Sequence, residues 1–166
     1  MNGVHTLPLQ HSHPIHGYPN EQRFQYQLAR ALGIKDRQRA LKSLQKLVRL
    51  RYPAAYDNLG WLIIFEQKNY SKAVELFRNG TRLGDPDAMV SLAEMIDKGR
   101  TVPLNQSETK LALYARAAQL GDSDAARALQ VEQEKEMQQE QQRAIQFEQQ
   151  RRAMEMFQGI LRGVVR

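Results

Sequence analysis

The residues best suited to chemistry are few and unevenly placed. All four histidines, His5, His11, His13 and His16, fall within the first nineteen residues. His11, His13 and His16 are near enough in sequence to share a metal ion through their imidazoles. No acidic or thiol companion accompanies them, so they are a subsidiary metal candidate on what reads as a solvated tail. The chain has no cysteine, which removes disulfides, thiolate zinc sites, iron–sulfur clusters and cysteine nucleophiles. It contains no glycine-rich phosphate loop, no Gly-x-Ser-x-Gly elbow and no His-Glu-x-x-His pair. Paired carboxylates such as Asp85 and Asp87 sit where helix caps are expected. The expectation is a non-catalytic protein that carries no cofactor.

Charge is the next chemical resource, and it is concentrated. The formal charge is +6 over 166 residues. Residues 1–19 hold no charged side chain, and Gln130 to Arg166 balance six basic against six acidic residues. From Asn20 to Tyr52 nine lysines and arginines face two acids, a net +7. Within that stretch Lys35, Arg39, Lys42, Lys46 and Arg49 recur at steps of four, three, four and three, which places them in one stripe of a helix. Ala40, Leu41, Leu44, Leu47 and Val48 take the opposite face. The stripe either solvates the outer face of the helix or receives an acidic protein or a phosphate backbone.

The elements that must position these groups are helices. From residue 20 onward apolar residues recur with helical spacing and strand-like alternation never persists, so the fold class is all-α. Breaks are expected at Gly33 to Asp36, Tyr52 to Pro53, Lys68 to Ser71, Leu83 to Asp87, Gly99 to Ser107 and Gly121 to Asp124. Asp36, Ser71, Asp87, Ser107 and either Asp122 or Asp124 are the expected N-caps, since a short side-chain oxygen satisfies an orphan amide. The longest apolar run, Trp61 to Phe65, is far short of the ~20 residues that span a bilayer. The mean hydropathy of −0.62 agrees with a soluble chain. The first twenty residues lack the basic and apolar segments of a secretory signal. A cytoplasmic location is expected.

The helices repeat. Ala55, Ala88 and Ala125 correspond, as do Leu59, Leu92 and Leu129, at separations of 33 and then 37. Leu83-Gly84-Asp85 returns as Leu120-Gly121-Asp122, and Leu50-Arg51-Tyr52 is an earlier copy, with Ala40 matching Ala73 and Leu44 matching Phe77. A period of this length in a helical chain signals stacked helix pairs. The four extra residues of the last unit are expected in the Gly99 to Ser107 connection.

Ala88-x3-Leu92, Asp97-Lys98-Gly99-x3-Pro103 and Lys110-x3-Tyr114-x2-Ala117-Ala118-x2-Gly121-x3-Ala125 together resemble a Sel1-like repeat, a relative of the tetratricopeptide repeat. The preceding unit, Tyr56-x2-Leu59-Gly60 with Asn69-Tyr70-Ser71-Lys72-Ala73 and Phe77, is closer to the tetratricopeptide form. The resemblance covers roughly Asn20 to Leu129. It implies a right-handed α-solenoid that serves as a protein-binding scaffold or adaptor, with the first helix of each pair lining the concave wall, and it implies no catalytic activity.

Equivalent wall positions differ in chemistry: Phe24 aligns with Asp57 and Val90, Leu28 with Trp61 and Glu94, Ala31 with Ile64 and Asp97, and Leu32 with Phe65 and Lys98. Phe24, Leu28, Leu32, Trp61, Ile64 and Phe65 are expected to form an apolar trough flanked by Glu94 and Asp97. Trp61, the one tryptophan, is its best anchor. The trough is to receive a partner protein, unless its side chains are ordinary core or are covered by the chain's own tail.

Residues 130–152 are dominated by glutamine, glutamate and arginine, long polar helix formers. Phe147, Met154, Phe157, Leu161 and Val164 then follow at seven, three, four and three, a two-heptad apolar seam bordered by Arg151, Arg152, Arg162 and Arg166. That end suits contact with another protein or with a second copy of itself better than a membrane. The expected organisation is a flexible histidine- and proline-containing tail over 1–19, about three helix-turn-helix repeats over 20–129, and a long polar helix ending in an amphipathic segment over 130–166. The expected function is a protein-binding adaptor. The rivals are a nucleic-acid-associated protein using the basic stripe and a homo-oligomer assembled through the last helix.

Overall fold

The structure, a computed structural model, describes residues 20–164. Seven helices run in order: α1 (Asn20–Lys35), α2 (Arg37–Arg49), α3 (Pro53–Gln67), α4 (Tyr70–Arg82), α5 (Pro86–Asp97), α6 (Lys110–Gln119) and α7 (Ser123–Val164), with one 3-10 turn (Gln106–Glu108) before α6. Among the described residues there is no strand. Two compact units emerge, one ending at Leu129 and the other beginning at Gln130.

In the first unit each helix packs against the next, and the first helices of successive pairs also touch, α1 with α3 and α3 with α5. This is a short all-α solenoid of helix pairs, as the period implies. Two apolar clusters hold it. One joins Tyr26 and Ala29 of α1, Ala40, Leu44 and Leu47 of α2, and Leu59, Leu62 and Ile63 of α3. The other joins Ile64 of α3 to Phe77, Leu92, Met95, Leu113 and Ala125 of the later helices. α3 therefore sits between two cores and is buried nearly all round. The outer helices α2 and α4 bury a single face each, the amphipathic arrangement of a solenoid's second helices.

Three corners repeat the same backbone device. Leu50, Leu83 and Leu120 each end a helix with φ near −80, and the next residue, Arg51, Gly84 or Gly121, takes a positive φ of 57, 83 or 95. Asp85 N–H donates to Gly80 C=O and Gly84 N–H to Thr81 C=O. Asp122 and Gly121 repeat the pattern on Ala117 and Ala118, and Tyr52 and Arg51 on Leu47 and Val48. These paired bonds close the orphan carbonyls of a helix end, and a left-handed residue is what permits them. At the later two corners the aspartate then caps the following helix: Asp85 accepts from Ala88 N–H at 3.2 Å, and Asp122 from Ala125 N–H at 2.8 Å.

Asp36 and Asp122 cap as expected, accepting from the Arg39 and Ala125 amides. The other three caps lie elsewhere, at Asn69, Asp85 and Thr109 rather than Ser71, Asp87 and Ser107. Pro86 explains the second case, because proline at the first helical position has a preset φ and no amide to satisfy, so the cap is the residue before it. The connection from Lys98 to Thr109 absorbs the lengthened spacing. Arg78 anchors it, its guanidinium donating to Glu108 Oε2 at 3.1 Å, Val102 C=O at 2.9 Å and Thr101 Oγ1 at 3.3 Å.

Small residues set the helix spacing. At Gly60 a Cβ would fall within the van der Waals envelope of the Phe77 ring, so α3 and α4 approach to the limit that a bare Cα allows. Gly60→Ala is expected to lower unfolding free energy by about 1–3 kcal/mol, read from the urea midpoint. Gly159→Ala, with nothing within 4 Å of the added carbon, serves as the control and is expected to leave stability unchanged or raise it slightly, since alanine favours a helix interior.

Candidate partner-binding surfaces

The wall made by α1, α3 and α5 carries the residues singled out above, and the structure separates them into three kinds. Phe24 and Leu28 are open, 61 % and 41 % exposed. They stand four residues apart, on one face of α1. Ile64 is buried at 8 % exposure in the second core, so it supports the wall from behind and offers no surface to a ligand. Leu32, Trp61 and Phe65 are half-buried, and Leu32 packs on the first core.

The two aromatic rings of α3 are engaged by their own chain. Arg37 stacks its guanidinium 3.8 Å from the centroid of Phe65 while donating to Glu66 Oε1 at 2.9 Å. Lys68 stands 5.7 Å from the same ring. Trp61 packs against Phe77 at 5.7 Å. Its Nε1–H donates to Ser91 Oγ at 2.7 Å, and Lys98 stands 5.9 Å from its centroid. The flanking acids are likewise paired, Glu94 with Lys98 at 2.8 Å and Asp97 with Lys110 at 2.7 Å. The wall thus offers an open apolar pair on α1 and, on α3, aromatic rings lidded by ion pairs at the surface, of the kind that exchange at little cost.

Beneath the wall runs a polar seam that the repeat pattern alone did not disclose. Ser91 Oγ–H donates to Asp57 Oδ1 at 2.5 Å, so the serine relays between Trp61 and a carboxylate that is 4 % exposed. Asn58 donates to the Tyr26 hydroxyl at 2.8 Å and to Ala54 C=O at 3.1 Å. Asp85, Asp87 and Asp122 are buried as well. Burial pushes the Asp85 carboxyl up to about 8, with repulsion from Asp57 adding to it and the amides of Ala88 and Asp87 opposing it. Burial, and then the charges of Asp85 and Asp57, push Asp87 up to about 9, against a smaller pull from Arg30. Burial also lifts the Tyr26 phenol above its ordinary range. The one clue in the sequence was Asp57 itself, an acid early in a largely apolar helix. Among the described residues no group of three His, Asp or Glu is placed to hold a metal ion. His11, His13 and His16 lie outside the described residues.

Two further surfaces lie on other helices. Lys35, Arg39, Lys42, Lys46 and Arg49 are all exposed, but they do not share one helix as the spacing implied: Lys35 ends α1, Asp36 caps the next helix, and only the other four lie on α2, with Ala40, Leu44 and Leu47 buried opposite. Arg39 approaches Asp36 at 3.9 Å. Lys42, Lys46 and Arg49 have no acidic partner among the described residues. In the second unit Phe147, Met154, Phe157 and Leu161 are each at least half exposed. Val164 closes α7, and its side chain lies outside the described residues.

No protein-family model matches the chain, and no curated protein matches it. Among solved structures, the crystal structure of a Sel1 repeat protein from Oxalobacter formigenes is similar, with a TM-score of 0.58 and 24 % sequence identity over 65 % of this chain and 47 % of that one. The chain therefore matches about half the length of that protein. The likeness establishes the fold: the helix pairs are stacked as in a Sel1 repeat protein, in accord with the residues of the third unit that resemble the repeat.

The raised carboxyls fix how stability responds to pH. Asp85 and Asp87 keep their protons in the folded state at pH values where the unfolded chain has released them, so the folded state binds more protons and stability falls as pH rises from about 4 toward 8 to 9. The urea midpoint is expected to be higher at about pH 5 than at about pH 8. Asp85→Asn, which retains a good N-cap for α5, is expected to flatten that dependence.

Proposed function

We propose that the protein is a non-catalytic adaptor of the cytoplasm that binds another protein across the α1–α3–α5 wall. The observation that carries this reading is the exposed pair Phe24 and Leu28 on α1. Large apolar side chains held open on one helix face mark a contact, and the adjoining Trp61 and Phe65 extend the surface once Lys98 and Arg37 give way. The likeness to a Sel1 repeat protein supports it at the level of fold. No helix among the described residues is long and apolar enough to cross a membrane.

Phe24 and Leu28 are better probes than Trp61, whose bond to Ser91 and packing on Phe77 make it part of the frame. The double variant Phe24→Ala, Leu28→Ala is expected to melt with the wild type. It is also expected to weaken capture of a partner by roughly 2–3 kcal/mol, about a hundredfold in Kd. Equal recovery of every co-purifying protein by the two forms would discard the assignment.

The unpaired cations of α2 favour a second reading, in which the stripe lies along a nucleic-acid backbone. A helix with four or five phosphate contacts binds a generic duplex with an affinity that falls with salt at a log–log slope of about −4. Lys42→Glu with Lys46→Glu is expected to abolish that binding in a fluorescence-anisotropy titration. Absence of any salt-dependent binding by the wild type excludes this reading.

A further inference from the structure

The exposed seam of α7 has a geometry that identifies its occupant. Phe147, Met154, Phe157 and Leu161 follow the seven, three, four spacing of alternating core positions in a two-stranded coiled coil. All are half exposed or more, and Ile160 beside them is 58 % exposed. A contiguous apolar face of this kind marks a contact. We propose that residues 147–161 of α7 pair antiparallel with the same segment of a second copy of the chain.

The register follows from the sequence. A two-fold axis between Glu155 and Met156 sets Met154 level with Phe157 of the second copy and Gln150 level with its Leu161. On one flank Ala153 meets Ile160, a small residue against a large one, which brings Ile160 out of water. On the other flank Arg162 comes level with Glu148 of the second copy and Arg151 with its Gln158, while the two Glu155 that meet at the axis each lie beside Arg151 of their own helix, at 4.0 Å. A parallel pair instead stacks Gln150 on Gln150 within the core.

Three further observations agree with a self-contact. Gln130 to Arg166 hold six basic and six acidic residues, so two such segments do not repel each other, whereas an anionic surface gains little from a neutral helix. Gly159 falls at the outermost position of the repeat, where a missing side chain leaves no hole, and nothing lies within 4 Å of the Cβ it lacks. The helix is continuous from Ser123 to Val164, so pairing orders side chains and does not have to nucleate backbone.

The absence of cysteine allows a direct test. The full chain is expected to show a concentration-dependent dimer by sedimentation equilibrium, and Phe157→Glu a monomer of unchanged helical circular dichroism. Gln150→Cys and Leu161→Cys, mixed and oxidised, are expected to yield the 150–161 cross-linked peptide by mass spectrometry, because those positions share a layer only in the antiparallel pair. A wild-type monomer at roughly 100 μM, where a micromolar contact is saturated, overturns the proposal. So does a product dominated by 150–150 and 161–161 links, which reports a parallel pair. A chain that stays monomeric in solution and sediments with anionic phospholipid vesicles assigns the seam to a membrane surface and overturns it equally.

Discussion

The solenoid depends on how a helix is stopped and the next one started within three residues. At Leu83-Gly84-Asp85 the glycine turns left-handed, two amides return to the carbonyls of the finished helix, and the aspartate caps the one that follows. Because the corner is that short, the capping carboxylate does not reach water: Asp85 is 2 % exposed and Asp122 3 %. The interaction that sets the geometry therefore also places acids in a low-dielectric interior. The upward displacement of Asp85 and Asp87 is a consequence of the architecture, and it accounts for these carboxyls without giving them a catalytic task.

The same close stacking decides which surfaces are free. α3 serves two cores at once and has little face left, so its exposed residues come to the wall already braced, Trp61 by Ser91 and Phe77, Phe65 by Arg37. Among the described residues α1 packs on α2 and α3, and its side chains at Phe24 and Leu28 stay open. α2 buries Ala40, Leu44 and Leu47 and leaves its cations to solvent. Wall, stripe and seam thus differ in chemistry because they differ in how many neighbours each helix has, and that number follows from position in the stack.

Much of this was legible in the sequence because corners are local. The Leu-Gly-Asp triplets and the spaced alanines carry the repeat in adjacent residues, and the likeness of fold to a Sel1 repeat protein agrees with them. Caps were misplaced by two residues where a proline or tyrosine, rather than the polar residue after it, begins the helix. The trough was harder to read, since on a helix buried from two sides Trp61, Ile64 and Phe65 look alike in periodicity. Only the structure distinguishes the one that is core from those that reach the wall. The lids were illegible for a different reason: Arg37 reaches Phe65 and Glu66 from the far end of the preceding helix, 29 residues away, and Ser91 reaches Asp57 across 34 residues. Such contacts depend on side-chain reach across a finished stack.

The first corner departs from the rule that the others follow. Arg51 occupies the left-handed position without the freedom of glycine, and Tyr52 has no side-chain cap to offer α3. A non-glycine residue in that conformation costs roughly 1–2 kcal/mol, and in a linear array each pair is held only by its neighbours. The tilted contact of Tyr52 with Tyr26 at 5.3 Å offsets part of this deficit. On this account the α1–α2 pair is the block of the array expected to open first. Its amides should exchange with solvent through excursions that leave the later pairs intact, so that the array opens like a zipper from α1.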